Sequence, residues 1–145
     1  MHAEPQREFV DANVIVYAFD SSAGQKQETA RALLERLWES SAGCVSIQVL
    51  QEFFVTISRK VAKPLPVDEA TARIREFATW RVFAPNADDV LAAIGIHRQA
   101  KIGFWDAMIV LAAGESGCDV LWTEDLTDGQ TLRGVRIRNP FMNNE

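Results

Sequence analysis

Four acidic residues, far apart along the chain, each stand against an apolar run. Asp11 follows Phe9-Val10 and opens Asp11-Ala12-Asn13-Val14-Ile15-Val16-Tyr17-Ala18. Glu52 lies within Val49-Leu50-Gln51-Glu52-Phe53-Phe54. Asp106 stands between Phe104-Trp105 and Ala107-Met108-Ile109-Val110, and Asp125 ends Val120-Leu121-Trp122-Thr123-Glu124-Asp125. Flanks of this kind seek burial and draw the carboxylates away from free solvent. Two unit charges about 4 Å apart repel by roughly 4 kcal/mol at an effective dielectric of ~20. A fold that gathers the four must offset that repulsion with positive charge. A divalent cation with oxygen ligands, Mg²⁺ or Mn²⁺, is the natural choice. The chemistry such a site supports is metal-assisted attack on a phosphoester.

The elements that must position these acids can be read from periodicity. Phe9-Val10-Asp11 is a short buried strand, followed by a brief apolar helix through Tyr17. After the loop Ser21-Ser22-Ala23-Gly24, Ala30, Leu33, Leu34, Leu37 and Trp38 recur at helical spacing. Gly43-Cys44-Val45-Ser46-Ile47 reads as a second strand. Leu50, Phe53, Phe54, Ile57 and Val61 mark the next helix, stopped by Pro64 and Pro66. A helix carrying Ala70, Ile74 and Phe77 follows, then a strand Val82-Phe83-Ala84, then a helix from an Asn86 cap through Val90, Leu91, Ile94 and His97. Gly103 precedes the helix of Trp105, Met108, Ile109 and Ala112. The run from Asp119 to Trp122 is a fourth strand and Val135-Arg136-Ile137 a fifth.

Strands alternating with helices predict a three-layer α/β/α sandwich with a mainly parallel, five-stranded sheet. Ligands of such sheets bind outside the carboxyl ends of the strands. Asp11 and Asp125 fall at strand carboxyl ends, and Asp106 falls in the first turn of a helix, where the dipole favours a carboxylate. Glu52 is open on spacing alone. It lies off the centre of its helix's apolar stripe, which equally suits a solvated glutamate.

Composition bounds the rest. A chain of 145 residues is one domain, residues 1–145, long enough to bury about 68–70% of its unfolded surface. A net charge of −5 argues against a general nucleic-acid coat and suits a basic protein partner. Cys44 and Cys118 have no companions at metal-ligand spacing and read as buried thiols of a reducing compartment. The polar N-terminus and the lack of any membrane-length run predict a cytoplasmic protein. His2 and His97 read as structural or incidental, which disfavours a histidine-based phosphoester mechanism. Trp105, Trp122, Trp38 and Trp80 read as packing residues. Arg59-Lys60-Val61-Ala62-Lys63 and the pair Arg98 and Lys101 are candidate substrate contacts, or simply solvated helix faces.

At its acidic runs the chain resembles the PIN-domain family of ribonucleases, in particular the VapC-like toxins of bacterial toxin–antitoxin pairs. The likeness rests on Phe9 to Ala18, Gln51-Glu52-Phe53, Phe104 to Ile109, Leu121 to Leu126 with Asp128-Gly129-Gln130, and the ending Gly134 to Phe141. Each motif is weak alone; together, in order, they run nearly end to end. The resemblance implies that Asp11, Glu52, Asp106 and Asp125 form an acidic quartet that binds Mg²⁺ or Mn²⁺. It makes Asn13 and Thr123 supporting polar residues. Asn13 would orient a carboxylate or cap the first helix, and Thr123 would support the quartet or satisfy nearby backbone. Asp128 would contact metal or water, or else serve the turn at Gly129.

The activity so implied is metal-dependent endoribonuclease cleavage by a toxin, with RNA as substrate, an antitoxin protein as partner and a homodimer as assembly. The helix from Ala30 to Trp38 could supply the dimer face. The alternative is a catalytically inactive PIN module that binds RNA or a protein. A receiver-type phosphoacceptor is disfavoured because Lys101, the last lysine, precedes the third acid. An aspartate-nucleophile phosphohydrolase is disfavoured because Asp11-Ala12-Asn13 lacks a second aspartate.

Overall fold

The computed structural model describes residues 6–142, so His2, Pro5 and the rest of the polar N-terminal stretch lie outside the described residues. Among the described residues the chain forms six strands and six helices. In order they are β1 (Glu8–Val10), α1 (Ala12–Phe19), α2 (Gln25–Ser40), β2 (Gly43–Ser46), α3 (Ile47–Arg59), α4 (Val67–Phe77), β3 (Arg81–Phe83), α5 (Ala87–Ala100), α6 (Phe104–Glu115), β4 (Val120–Trp122), β5 (Thr131–Leu132) and β6 (Val135–Arg138). The strands form one sheet in the order β3-β2-β1-β4-β6-β5, parallel except for the β5–β6 pair.

From β1 the chain steps outward to β2 and β3, then crosses back to β4 on the other side of β1. Right-handed crossovers place α1 to α4 over one face and α5 and α6 over the other. Helix contacts agree: α1 packs on α2 and α3, α3 on α4, and α5 on α6. The result is the expected three-layer α/β/α sandwich. Its switch point lies between β1 and β4, which run side by side with Phe9 opposite Leu121 and Val10 opposite Trp122. The carboxyl ends of these two strands are where an open sheet offers a crevice.

The six strands exceed the expected five by β5. Its two residues fold back on β6 through Arg133 and Gly134, whose φ values are 53° and 78°. Two successive left-handed residues make a tight hairpin of primed type. Arg-Gly lacks the Asn-Gly signature of such turns, and two residues are too few to register as a strand. At β2, Ile47 belongs to α3 because the Ser46 hydroxyl accepts from the Val49 amide at 3.2 Å and caps that helix. Asn86 caps α5 as expected, in a reciprocal box with Asp89.

The core fills both faces of the sheet. Phe9, Val10, Val14, Ile15, Val45, Phe53, Ile57, Leu121 and Ile137 are buried, and α6 is buried over residues 107–113. Trp38, partly exposed, and Trp80, half-buried, join an aromatic cluster with Phe77 whose ring centroids lie 5.0 Å apart for Trp38–Trp80 and for Phe77–Trp80. Trp122 is half-buried, and its indole N–H donates to Glu8 at 2.8 Å. Glu8 is itself buried and held by a two-pronged contact with Arg36 at 2.8 and 2.9 Å. Trp105 does not pack. It is 65% exposed, because it sits in the first turn of α6, ahead of the buried stretch that starts at Ala107. Among the described residues no helix is long and apolar enough to cross a membrane.

Candidate functional site

Asp11 stands where β1 gives way to α1. With φ −75° and ψ 158° it leaves the strand in extended conformation, and its Oδ1 accepts from the Ala12 amide at 2.7 Å. Asp11 is therefore the N-cap of α1. Asn13, considered above for that role, lies inside the first turn instead. The Asn13 amide nitrogen and oxygen are buried, have no hydrogen-bond partner among the described residues, and border the cavity beside Asp11.

Thr123 follows β4 directly, fully buried, and joins the two strand ends. Its hydroxyl donates to Asp11 Oδ2 at 2.9 Å and accepts from the Asp125 amide at 3.1 Å. Asp106 enters from the first turn of α6. Carboxylate oxygens of Asp11, Asp106 and Asp125 lie within 4.8 Å of one another. Glu52 is exposed on α3 and stands outside that trio, yet close enough for its charge to act on both Asp11 and Asp106. Gln48, one turn earlier, donates to Glu52 Oε2 at 3.1 Å and to the Trp105 carbonyl at 3.3 Å. That amide ties α3 to the start of α6. Asp128 is exposed and accepts from the Asn139 amide at 2.8 Å, a turn contact apart from the trio.

Crowding acid groups in a dry corner has an electrostatic signature. Burial pushes the Asp11 carboxyl up from 3.8 to about 7, against the hydrogen bonds from Thr123 and Ala12, and the charges of Asp125 and Glu52 add to the rise. Asp106 is raised by burial and then by the same two neighbours. Among the described residues no lysine or arginine pairs with any of the four carboxylates. Hard oxygen donors at this spacing, an unmet need for positive charge and an unpartnered amide beside them fit a divalent cation such as Mg²⁺ or Mn²⁺.

A cavity of about 470 Å³ opens beside the cluster, lined by Asp11, Asn13, Tyr17, Glu52, Lys60 and Asp125 among others. Lys60 thus brings one charge of the basic stretch to the acids; Arg59 and Lys63 remain on the surface. Sequence reasoning missed the other flank. The Tyr17 hydroxyl donates to Glu124 Oε1 at 2.8 Å, and Lys26 pairs with Glu124 Oε2 while lying 4.7 Å from the Tyr17 ring centre. Glu124 separates Thr123 from Asp125, so this network pins the loop that carries the fourth acid. Only the place of Tyr17 in the first acidic run hinted at it. His97 is occupied elsewhere: its Nδ1 donates to the Ile102 carbonyl at 2.6 Å.

Fold and site together define an α/β protein with an acidic, cation-fitting cleft at the switch point of its sheet. The PIN domain family matches residues 9–127, and the chain belongs to that family. No curated protein matches the chain. Among solved structures it is similar to a toxin–antitoxin complex from Klebsiella pneumoniae, with TM-score 0.69 and 16% identity over 92% of this chain and 98% of that one. It is also similar to VapC20 of Mycobacterium tuberculosis, a toxin that cleaves the sarcin–ricin loop, with TM-score 0.60 and 24% identity over 79% and 86%. A third likeness is to the DNA-bound VapBC of Salmonella typhimurium, with TM-score 0.64 and 21% identity over 94% and 99%. At these identities the likeness is one of fold.

Proposed function

We propose that this chain is a metal-dependent endoribonuclease and the toxin of a toxin–antitoxin pair. The observation that carries the reading is the convergence of Asp11, Asp106 and Asp125 oxygens within 4.8 Å at the switch point of a PIN fold. Those three and Glu52 would hold Mg²⁺ or Mn²⁺. When bound, such a cation makes a water nucleophilic at neutral pH and stabilises the charge that develops on a phosphodiester.

The protein's own groups prepare the site. Thr123 fixes one oxygen of Asp11 and the backbone of Asp125. Gln48 restrains Glu52, and the Asn13 amide is free to hydrogen-bond a carboxylate or a phosphate oxygen. Lys60 offers a phosphate contact in the cleft. Asp128 serves as a turn residue in this reading, through its bond to Asn139. An antitoxin tail would block the cleft by presenting an arginine or lysine to the carboxylates. A homodimer would use either the α2 face, where Trp38 is exposed among Arg31, Glu35 and Glu39, or the exposed Val90, Leu91 and Ile94 of α5. The place of action would be the cytoplasm.

The test is cleavage of a mixed set of structured RNAs with Mg²⁺, with Mn²⁺ and with EDTA, beside the Asp106→Asn variant. Cuts that need metal and disappear in the variant are expected. Cutting that persists in EDTA or in Asp106→Asn protein overturns the reading.

A further inference from the structure

Trp105 is the most exposed large aromatic side chain of the protein, at 65%. A buried aromatic ring removes about 150–250 Å² from water, and Trp105 forgoes most of that. A single exposed apolar residue needs no explanation by itself; the surroundings of this one are particular. It is the neighbour of Asp106 in the first turn of α6. Its carbonyl is held by the same Gln48 amide that holds Glu52, so its backbone is anchored to the rim of the acid cluster. Its ring has one ring contact, edge-on to Phe104 with centroids 5.1 Å apart, which restrains its tilt.

Two cations precede Trp105 in the chain. Arg98 and Lys101 close α5 just before α6 begins; both are exposed, and among the described residues neither forms an ion pair. Lys101 adopts the left-handed conformation, φ 58°, at the end of α5. The exposed apolar residues of α5, Val90, Leu91 and Ile94, lie earlier in that helix than these two cations. An exposed ring with free cations a few residues before it in the chain is a combination suited to single-stranded nucleic acid: rings stack on bases and cations follow the backbone.

We propose that Trp105 is a stacking platform for an unpaired base of the RNA substrate, with Arg98 and Lys101 contacting the adjoining phosphates. This rests on the nuclease reading and adds to it the residue that holds a base next to the acid cluster. Trp105 selects substrate by holding a base; it takes no part in breaking the bond.

The experiment is a binding cycle in the full-length Asp106→Asn protein with Mg²⁺, so that bound RNA stays intact. A labelled, unstructured oligoribonucleotide is compared with copies that lack one base at each position in turn. Trp105→Ala should weaken binding of the intact strand by about 5- to 150-fold, while Trp105→Phe should keep most of the affinity. For the copy lacking the stacked base, Trp105→Ala should make no further difference. Thermal unfolding should be unchanged by either substitution, since the ring lies outside the core. Equal affinity of Trp105→Ala and its parent overturns the proposal and leaves the nuclease reading standing. So does a loss that is the same for every copy, or unchanged RNA binding with lost self-association. A parent that binds no RNA, together with wild-type protein that cuts none, removes both.

Discussion

Asp11 has three tasks: it caps α1, it accepts from Thr123, and it belongs to the carboxylate cluster. The third is at odds with its burial. A carboxyl held at about 7 in the folded protein, against 3.8 ordinarily, binds its proton more tightly when folded than when unfolded. Below 3.8 both states are protonated and the group is neutral in its effect. As pH rises from there to about 7 the unfolded chain releases the proton first, so stability falls across that window and stays reduced above it. In EDTA, the melting temperature of the wild type should therefore drop relative to Asp11→Asn between pH 4 and 7, roughly. Mg²⁺ added at pH 8 should restore it in the wild type alone; calorimetry across pH reads both effects. An Asn variant that tracks the wild type would remove the burial explanation. Asp11, Asp106 and Asp125 were legible because strand ends and a helix start announce them in the sequence. Trp105 was misread because the apolar run that follows it, residues 107–113, is buried on all sides and gives periodicity no face to point to.

Between elements, Thr123 does what no single strand could: its one hydroxyl links the ends of β1 and β4. Thr123→Val keeps the shape and deletes both hydrogen bonds. Leaving the buried Asp11 Oδ2 without its donor should cost about 1–3 kcal/mol. The Asp11 carboxyl, relieved of the hydrogen bond that lowers it, should rise further and bind Mg²⁺ more weakly at neutral pH. Thr123→Ser should recover both properties; urea unfolding and titration calorimetry distinguish the three proteins. A Val variant equal to wild type in both would demote the hydroxyl to packing. The alternation of strand and helix was plain in the sequence because each strand is a short apolar run between helices of clear stripe. β5 was not, since a pair of residues at a left-handed turn carries no pattern. Nor was the Lys26–Glu124 pair, which joins ordinary surface residue types 98 positions apart.

The whole molecule carries a net charge of −5, and among the described residues Lys60 is the cation that lines the acidic cleft. RNA held by Lys60, Arg98 and Lys101 alone would displace few counterions. A slope of about −2 is expected when the logarithm of the binding constant is plotted against that of salt concentration, from roughly −0.7 per neutralised phosphate on a single strand. Filter binding across a salt series measures it, and a slope several times steeper would place the RNA on a broader surface than this cleft. The order of the sheet has a consequence of another kind. β1 and β4 are neighbours in space, and the hydrogen bond from Thr123 to Asp11 spans 112 positions. A ribosome adding about 5–20 residues per second takes roughly 6–20 s to make that stretch. Until then the growing chain lacks Asp125, and for most of that time Asp106 as well. In a nuclease of the proposed kind, the catalytic centre would stay incomplete, and the nascent chain inactive, until the segment that carries Asp125 has been made.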